Sequence, residues 1–309
     1  MEATAPPVLQ KALRESPEIV SRIDMTDLTV EDILGLTFSE SHMAITQGLE
    51  QTKREDPSNA SLAQTLAETM FGPLVLSREQ LLGGSNNDSQ REHSAGIQQN
   101  LIHALFSISE KSSDQFVAQI YRMATIFEGM TKKGEREGSA FAMKWSEIKA
   151  QLALMRLFKE AGYSLQIPNY NKSGEVLAWD VRSQTDFVAV PGPELQKDRK
   201  MNRAFLVDAK SRNSEVSSKG GYEIWSVRDA TSEGNMRVIW VHPPLINKVF
   251  ELGADRISHT IIYLSTRDQF IQGLDSKSGD QRSALRNLGQ IRDPNLRKKI
   301  INELQSRQV

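Results

Sequence analysis

Ala204-Phe205-Leu206-Val207-Asp208-Ala209-Lys210-Ser211-Arg212 is an apolar run that ends in two charged residues separated by one small one. Its composition predicts a strand over Ala204–Lys210 that starts in the core and leaves it at Asp208. Alternate side chains of a strand share a face, so Asp208 and Lys210 project together while Ala209 packs behind them. An acid beside an amine at a strand end is often only a solvated ion pair. A second acid changes that reading. Thr185-Asp186-Phe187-Val188-Ala189-Val190 places Asp186 at the start of another buried-looking strand. If the two strands are antiparallel, the beginning of one lies beside the end of the other. Two carboxylates then converge near one ammonium group.

Such a cluster suits a hard divalent cation. Oxygen ligands from Asp186 and Asp208 hold Mg²⁺, and its open positions take water and a phosphate oxygen. Lys210 orients or helps deprotonate the attacking water, or neutralises charge building on the phosphoryl group. Glu147, one position from the apolar stripe of the preceding helix, can point along the seam between helix and sheet toward the same spot. A lone glutamate in a helix is otherwise an ordinary surface residue.

Outward from these strands the pattern is mixed. Ser139–Ala161 reads as one helix, with Phe141, Trp145, Ile148, Leu152 and Met155 as an apolar stripe and Gly162 as its stop. Short runs rich in branched and aromatic residues predict further strands over Tyr163–Ile167, Val176–Val181, Met236–Val241 and Thr260–Leu264. A helix is expected over Pro244–Leu252, and the basic tail Gln281–Gln308 returns to helix. Before all this the sequence is helical in style. Thr29-Val-Glu-Asp resembles a helix start, Ser61–Phe71 and Ile97–Met130 carry helical spacing, and Gly83–Gln90 is a polar loop. Thr131-Lys-Lys-Gly-Glu-Arg-Glu-Gly has no apolar residue and marks the boundary between a helical domain, 1–134, and an α/β domain, 135–309.

The halves also differ in charge. Residues 1–134 hold 11 basic and 18 acidic side chains, and residues 135–309 hold 27 and 21, so a net −7 faces a net +6. A mildly basic half can attract a polyanion, although scattered surface lysines give the same balance. The chain of 309 residues has no cysteine, which removes disulfides, thiolate nucleophiles and cysteine-ligated metals. No continuous apolar stretch is long enough for a membrane span, and the start lacks the order of a secretory signal, so a cytoplasmic address without membrane contact is expected. No His-Glu-x-x-His, Gly-x-Ser-x-Gly or Gly-x-Gly-x-x-Gly motif occurs, which leaves zinc-protease, serine-hydrolase and dinucleotide readings without support.

A helix carrying Glu147, then Gly162-Tyr163, then a strand opening on Asp186, then Asp208-Ala209-Lys210, resembles the PD-(D/E)xK or restriction-endonuclease-like nuclease superfamily over about residues 139–243. The resemblance implies a central mixed sheet flanked by helices and Mg²⁺-dependent hydrolysis of DNA or RNA, with Mn²⁺ as a substitute cofactor. It also implies that Asp186, Asp208 and the Ala209 carbonyl are metal ligands, that Lys210 is catalytic, and that Glu147 assists metal or water. Thr185 stands where the family usually has proline, and Asp180 in Trp179-Asp-Val is a rival for the metal position. Asp186 is preferred because an apolar run follows it directly.

The expected protein is therefore α/β, with an acidic helical N-terminal domain that binds a protein partner or regulates. Endonuclease action is favoured over exonuclease action, and a homodimer is compatible with it. Lys197, Arg199, Lys200 and Arg203, in the basic loop Pro191–Arg203 between the motif strands, and Arg212 beyond them, are candidate contacts to a nucleic-acid backbone. A solvated hairpin loop has the same look. Tyr222, Trp225 and Arg228 could stack on bases, but the two aromatics are read first as a cover for the sheet. His242 and His259 are read as structural or exposed. The alternative to an enzyme is a non-catalytic nucleic-acid- or protein-binding module. A third reading has the acidic half inhibiting a nuclease, so that deletion of the residues before Ser139 raises activity.

Overall fold

The computed structural model describes residues 54, 95, 98, 99, 102, 103, 105, 106, 137–168, 178–179, 183–197, 202–212, 221–231, 243–265, 271 and 287–308. By contacts the chain divides into two compact units interleaved along the sequence. One comprises 1–85, 104–145 and 274–286, and the other 86–103, 146–273 and 287–309. Almost all the described residues belong to the second, an α/β unit.

Its elements run in the order α1 Glu137–Glu160, β1 Tyr163–Gln166, β2 Phe187–Pro191, α2 Pro193–Gln196, β3 Arg203–Arg212, β4 Tyr222–Thr231, α3 Pro243–Glu251, β5 Arg256–Ser265 and α4 Pro294–Ser306. The strands form one mixed sheet in the order β1-β2-β3-β5-β4. The pairs β1–β2, β2–β3 and β4–β5 are antiparallel and β3–β5 is parallel. The parallel pair needs a crossover, and α3 lies within it.

The faces follow from strand alternation. On one, Val188, Val190, Ala204, Leu206 and Ile257 are buried with Leu245 and Val249 of α3. On the other, Phe187 and Phe205 meet Phe158 of α1, with ring centroids 5.7 Å apart in both cases, and Tyr163 lies 5.3 Å from Phe158. Burial of such rings is worth about 1.5–3 kcal/mol each. From Ile148 to Phe158 every residue of α1 but Arg156 is buried, Lys149 and Gln151 included. The expected single stripe is therefore too narrow a description: this stretch is enclosed nearly all round.

Helix α1 stops as the sequence predicts, at Gly162, whose φ of 94° an L side chain rarely adopts. Its carbonyl accepts from Gly192 N at 3.0 Å, and a Cβ on Gly192 would lie 2.4 Å from that oxygen, so only glycine fits there. Helix α4 begins on Asp293, whose side chain accepts from Asn295 N and Leu296 N, and it buries Leu296, Ile300 and Leu304.

Two expectations need correction, and one strand was not foreseen. Ala178 and Trp179 form part of a wide helical turn instead of a strand, held by Ser183 Oγ donating to Ala178 O at 2.5 Å and Thr185 N donating to Trp179 O at 2.9 Å. Trp179 is buried against the sheet face with Val188 and Leu206. A short apolar run reads the same whether it lies in a sheet or on one. The tail is not one helix: residues 287–289 turn, Ile291 bridges to Ile271, and α4 starts only at Pro294. Residues Tyr222–Thr231, which the sequence reading left without an element, are the edge strand β4. The strand expected over Met236–Val241, the helices expected before Thr131 except at single positions, and Asp180 lie outside the described residues.

Candidate functional site

The antiparallel register Phe187↔Val207 puts Asp186 across from Asp208, one step before the β2 ladder begins and one step after β3 passes it. Asp186 N donates to Val207 O at 2.8 Å, out of that register, so the strand start is irregular. Asp186 Oδ2 accepts from Ala209 N at 2.7 Å, which locks the carboxylate over the end of β3. Within a strand the N–H and C=O of one residue point to the same side. The Ala209 carbonyl therefore opens on the edge where Asp186 sits.

Asp208 is buried, and its Oδ1 accepts from Lys210 Nζ at 2.8 Å. The lysine side chain remains 45% exposed, so this pair joins a dry carboxylate to a wet ammonium. Burial pushes the Asp208 pKa up, and the opposing pull of Lys210 does not cancel it. Burial also pulls Lys210 down, but Asp208, with Asp186 and Glu147 behind it, more than reverses the effect and its pKa ends raised. The negative charge of Glu147 therefore acts on both members of the pair. Three acids bear on one lysine.

Two further groups were missed in the sequence. Gln99 Nε2 donates to Asp186 Oδ1 at 3.5 Å, and Gln151 Nε2 donates to Gln99 Oε1 at 2.9 Å, all three residues being buried. Gln151 stands four residues after Glu147 on α1, so the two share a helix face, a spacing that was legible. Gln99 was not legible, because it comes from the N-terminal half of the sequence. His259, read as structural or exposed, is buried on β5 with Nε2 3.1 Å from Gln184 O. Burial lowers its pKa, while the Gln184 and Ser183 carbonyls and Asp208 pull the other way.

The basic residues separate. Asp186 and Asp208 stand at one end of the β2–β3 hairpin, and the Pro191–Arg203 connection closes the other, about 17 Å away along β3. Lys197 there is exposed and paired with Glu194 at 2.7 Å, and Arg203 is paired with Asp229 at 2.9 Å. Lys197 and Arg203, expected as contacts to a nucleic-acid backbone at the site, thus stand away from the acids: strand alternation brings the acids together, and chain direction sends the loop away. Arg199 and Lys200 lie outside the described residues. Arg212 does lie near, two residues past Lys210 on the same face, stacked 4.0 Å from the Tyr263 ring centroid and 3.8 Å from Glu223.

A cation fits this donor set in one respect and is not caged by it in another. Two hard oxygen donors, the carboxylates of Asp186 and Asp208, stand at one strand end, where burial holds the Asp208 pKa up and Asp186 is fixed by Ala209 N and Gln99. Mg²⁺ is commonly held by only one or two carboxylates, with water and phosphate completing its shell. Among the described residues no group of three or more His, Asp or Glu is gathered to hold a metal ion, and no helix is long and apolar enough to cross a membrane. Comparison of the chain with protein-family models, with curated proteins and with solved structures finds no match.

Proposed function

We propose that this protein is a metal-dependent nuclease of the restriction-endonuclease-like kind, hydrolysing phosphodiester bonds of DNA or RNA with an activated water. The observation that carries this reading is the meeting of Asp186, Asp208 and Lys210 at the open end of an antiparallel pair, with a third acid, Glu147, felt from α1. The element order α1, β1, β2, β3 is the order on which the sequence resemblance rests.

Asp186, Asp208 and the Ala209 carbonyl would hold the ion, which when bound supplies an acidified water and a counter-charge for the phosphate. The Ala209 N–H and Gln99 fix the Asp186 carboxylate, so its lone pairs face one direction. Lys210, kept protonated by three carboxylates, donates to the phosphoryl oxygens as charge builds there. Glu147 accepts the proton that the attacking water gives up, or orders that water for attack. Arg212 holds the neighbouring backbone phosphate and Lys197 and Arg203, at the far end, do not. Cytoplasmic location and a protein partner for the N-terminal half complete the reading.

A second reading is a non-catalytic nucleic-acid-binding module with the same fold. The direct pairing of Asp208 Oδ1 with Lys210 Nζ, which occupies one of the oxygens a metal would use, favours it. Labelled single- and double-stranded DNA and RNA, incubated with Mg²⁺ or Mn²⁺, decide between the two. The nuclease reading expects cutting that chelation stops and that Asp208→Ala and Lys210→Ala both lose. A folded wild type that cuts nothing in the panel rejects it in favour of the binding module.

A further inference from the structure

Trp225 is the most exposed of the large apolar side chains described, at 56%, and it stands on β4 in register with Ile261, which is in turn beside Asp208. Register neighbours share a face, so Asp208, Ile261 and Trp225 form one row across three strands, about 10 Å wide. The next row on that face is Lys210, Tyr263 and Glu223, and Arg212 lies over the Tyr263 ring. Helix α3 covers this face only around Ala204, Leu206 and Ile257, toward the start of β3 and β5. Beyond it the side chains of Lys210 and Arg212 are each 45% exposed.

An exposed indole presents a flat face that a planar ligand can stack on. The free edge of β4 is poorly suited to adding a strand from another protein. Its ladder shifts register between Ser226 and Arg228, and Arg307 donates to the Ile224 carbonyl at 3.0 Å and to Ser226 Oγ at 2.9 Å. The face, unlike the edge, offers one flat aromatic surface and one further cation, Arg212, in line with the Asp208–Lys210 pair. Flat aromatics beside cations bind unpaired bases by stacking, which paired bases inside a duplex cannot offer.

We propose that Trp225 is a stacking platform for an unpaired base, so that the substrate of the Asp208–Lys210 site is single-stranded nucleic acid. The proposal rests on the nucleic-acid reading above and narrows it. The strand would lie across the face, one base on Trp225 and a backbone phosphate at Arg212, which delivers the adjoining phosphate toward Lys210.

The test is binding of a labelled single-stranded oligonucleotide, DNA or RNA, and of its duplex to the full chain with no divalent ion present, so that hydrolysis cannot interfere. Wild type should prefer the single strand. Trp225→Ala should weaken single-strand binding roughly 5- to 150-fold and duplex binding little, while Trp225→Phe keeps most of the affinity. Equal single-strand affinity in wild type and Trp225→Ala overturns the proposal, as does an equal loss for duplex, or loss of a dimer in Trp225→Ala as its sole effect. Cleavage is scored separately. Duplex cutting indifferent to Trp225 rejects the platform and leaves the nuclease standing, whereas Trp225-dependent binding without any cutting rejects the nuclease and leaves the platform.

Discussion

The two ends of β3 both carry charged and polar residues in the sheet, and they are built oppositely. At the start, the Gln308 side chain pairs with the backbone of Arg203 as a strand would, Oε1 accepting from its N–H at 2.8 Å and Nε2 donating to its carbonyl at 3.0 Å. Gln308 Nε2 also donates to the Tyr163 hydroxyl, whose pKa burial pushes up to about 12, and Arg203 closes on Asp229. There the backbone N–H and C=O of Arg203 and its positive charge all meet partners, although Arg203 Nε and Asn202 Oδ1 are buried without one among the described residues. At the other end Asp208 is buried with its pKa raised, and Asp186 and Glu147 add negative charge against one half-exposed lysine. The first end closes the fold. The second gathers perturbed titratable groups, which is where chemistry is to be sought.

The largest expected effect is at the end that holds Asp208. Asp208→Asn should lower metal-dependent cleavage by about 100-fold or more, yet leave stability at neutral pH equal to wild type or higher, within about 1 kcal/mol. The sign follows from the raised pKa: the contribution of the Asp208 carboxyl is fully present below the ordinary carboxylate range and is lost as pH rises through its folded value. Lys210, half in water, tolerates losing its partner. Urea unfolding beside a cleavage assay checks both halves, and a large loss of stability would make Asp208 a structural residue like those at the other end.

Next comes the closed end. Gln308→Ala orphans the N–H and C=O of Arg203 together with the Tyr163 hydroxyl, and should cost roughly 1–3 kcal/mol. Cleavage per folded molecule should not change. If denaturation shows no loss while activity falls, the contrast between the ends is wrong.

The smallest effect is a slope. Burial holds the pKa of His259 below its ordinary 6.5, so the folded protein prefers the neutral ring. That stabilisation is present above 6.5 and is lost as pH falls through the folded value, because the unfolded ring takes up its proton first. Thermal unfolding midpoints measured from about pH 8 to about pH 5 should fall more steeply in wild type than in His259→Gln. Parallel curves would mean that His259 contributes nothing to the pH dependence.

Much of the site was legible because it depends on local rules. The Asp208-Ala209-Lys210 alternation, the apolar run after Asp186 and the glycine stop of α1 each follow from a few adjacent residues, and β2, β3 and α1 lie within a few residues of where the sequence puts them. Strand β4 was hidden because its two faces differ from the usual pattern. Exposed Trp225 and Val227 alternate with Ile224 and Ser226, so apolar residues fall on both faces and no two-residue period shows.

What the sequence determined alone was therefore the kind of element at each motif and which side chains share a face, since these come from backbone geometry repeated every few residues. The tertiary structure decided what meets what. The antiparallel register set Asp186 opposite Asp208 and carried the Lys197–Arg203 loop to the far end, and packing brought Gln99 from 87 residues away onto Asp186. Burial then made one carboxylate dry and left its lysine wet, and burial belongs to the folded chain as a whole, not to any stretch of it.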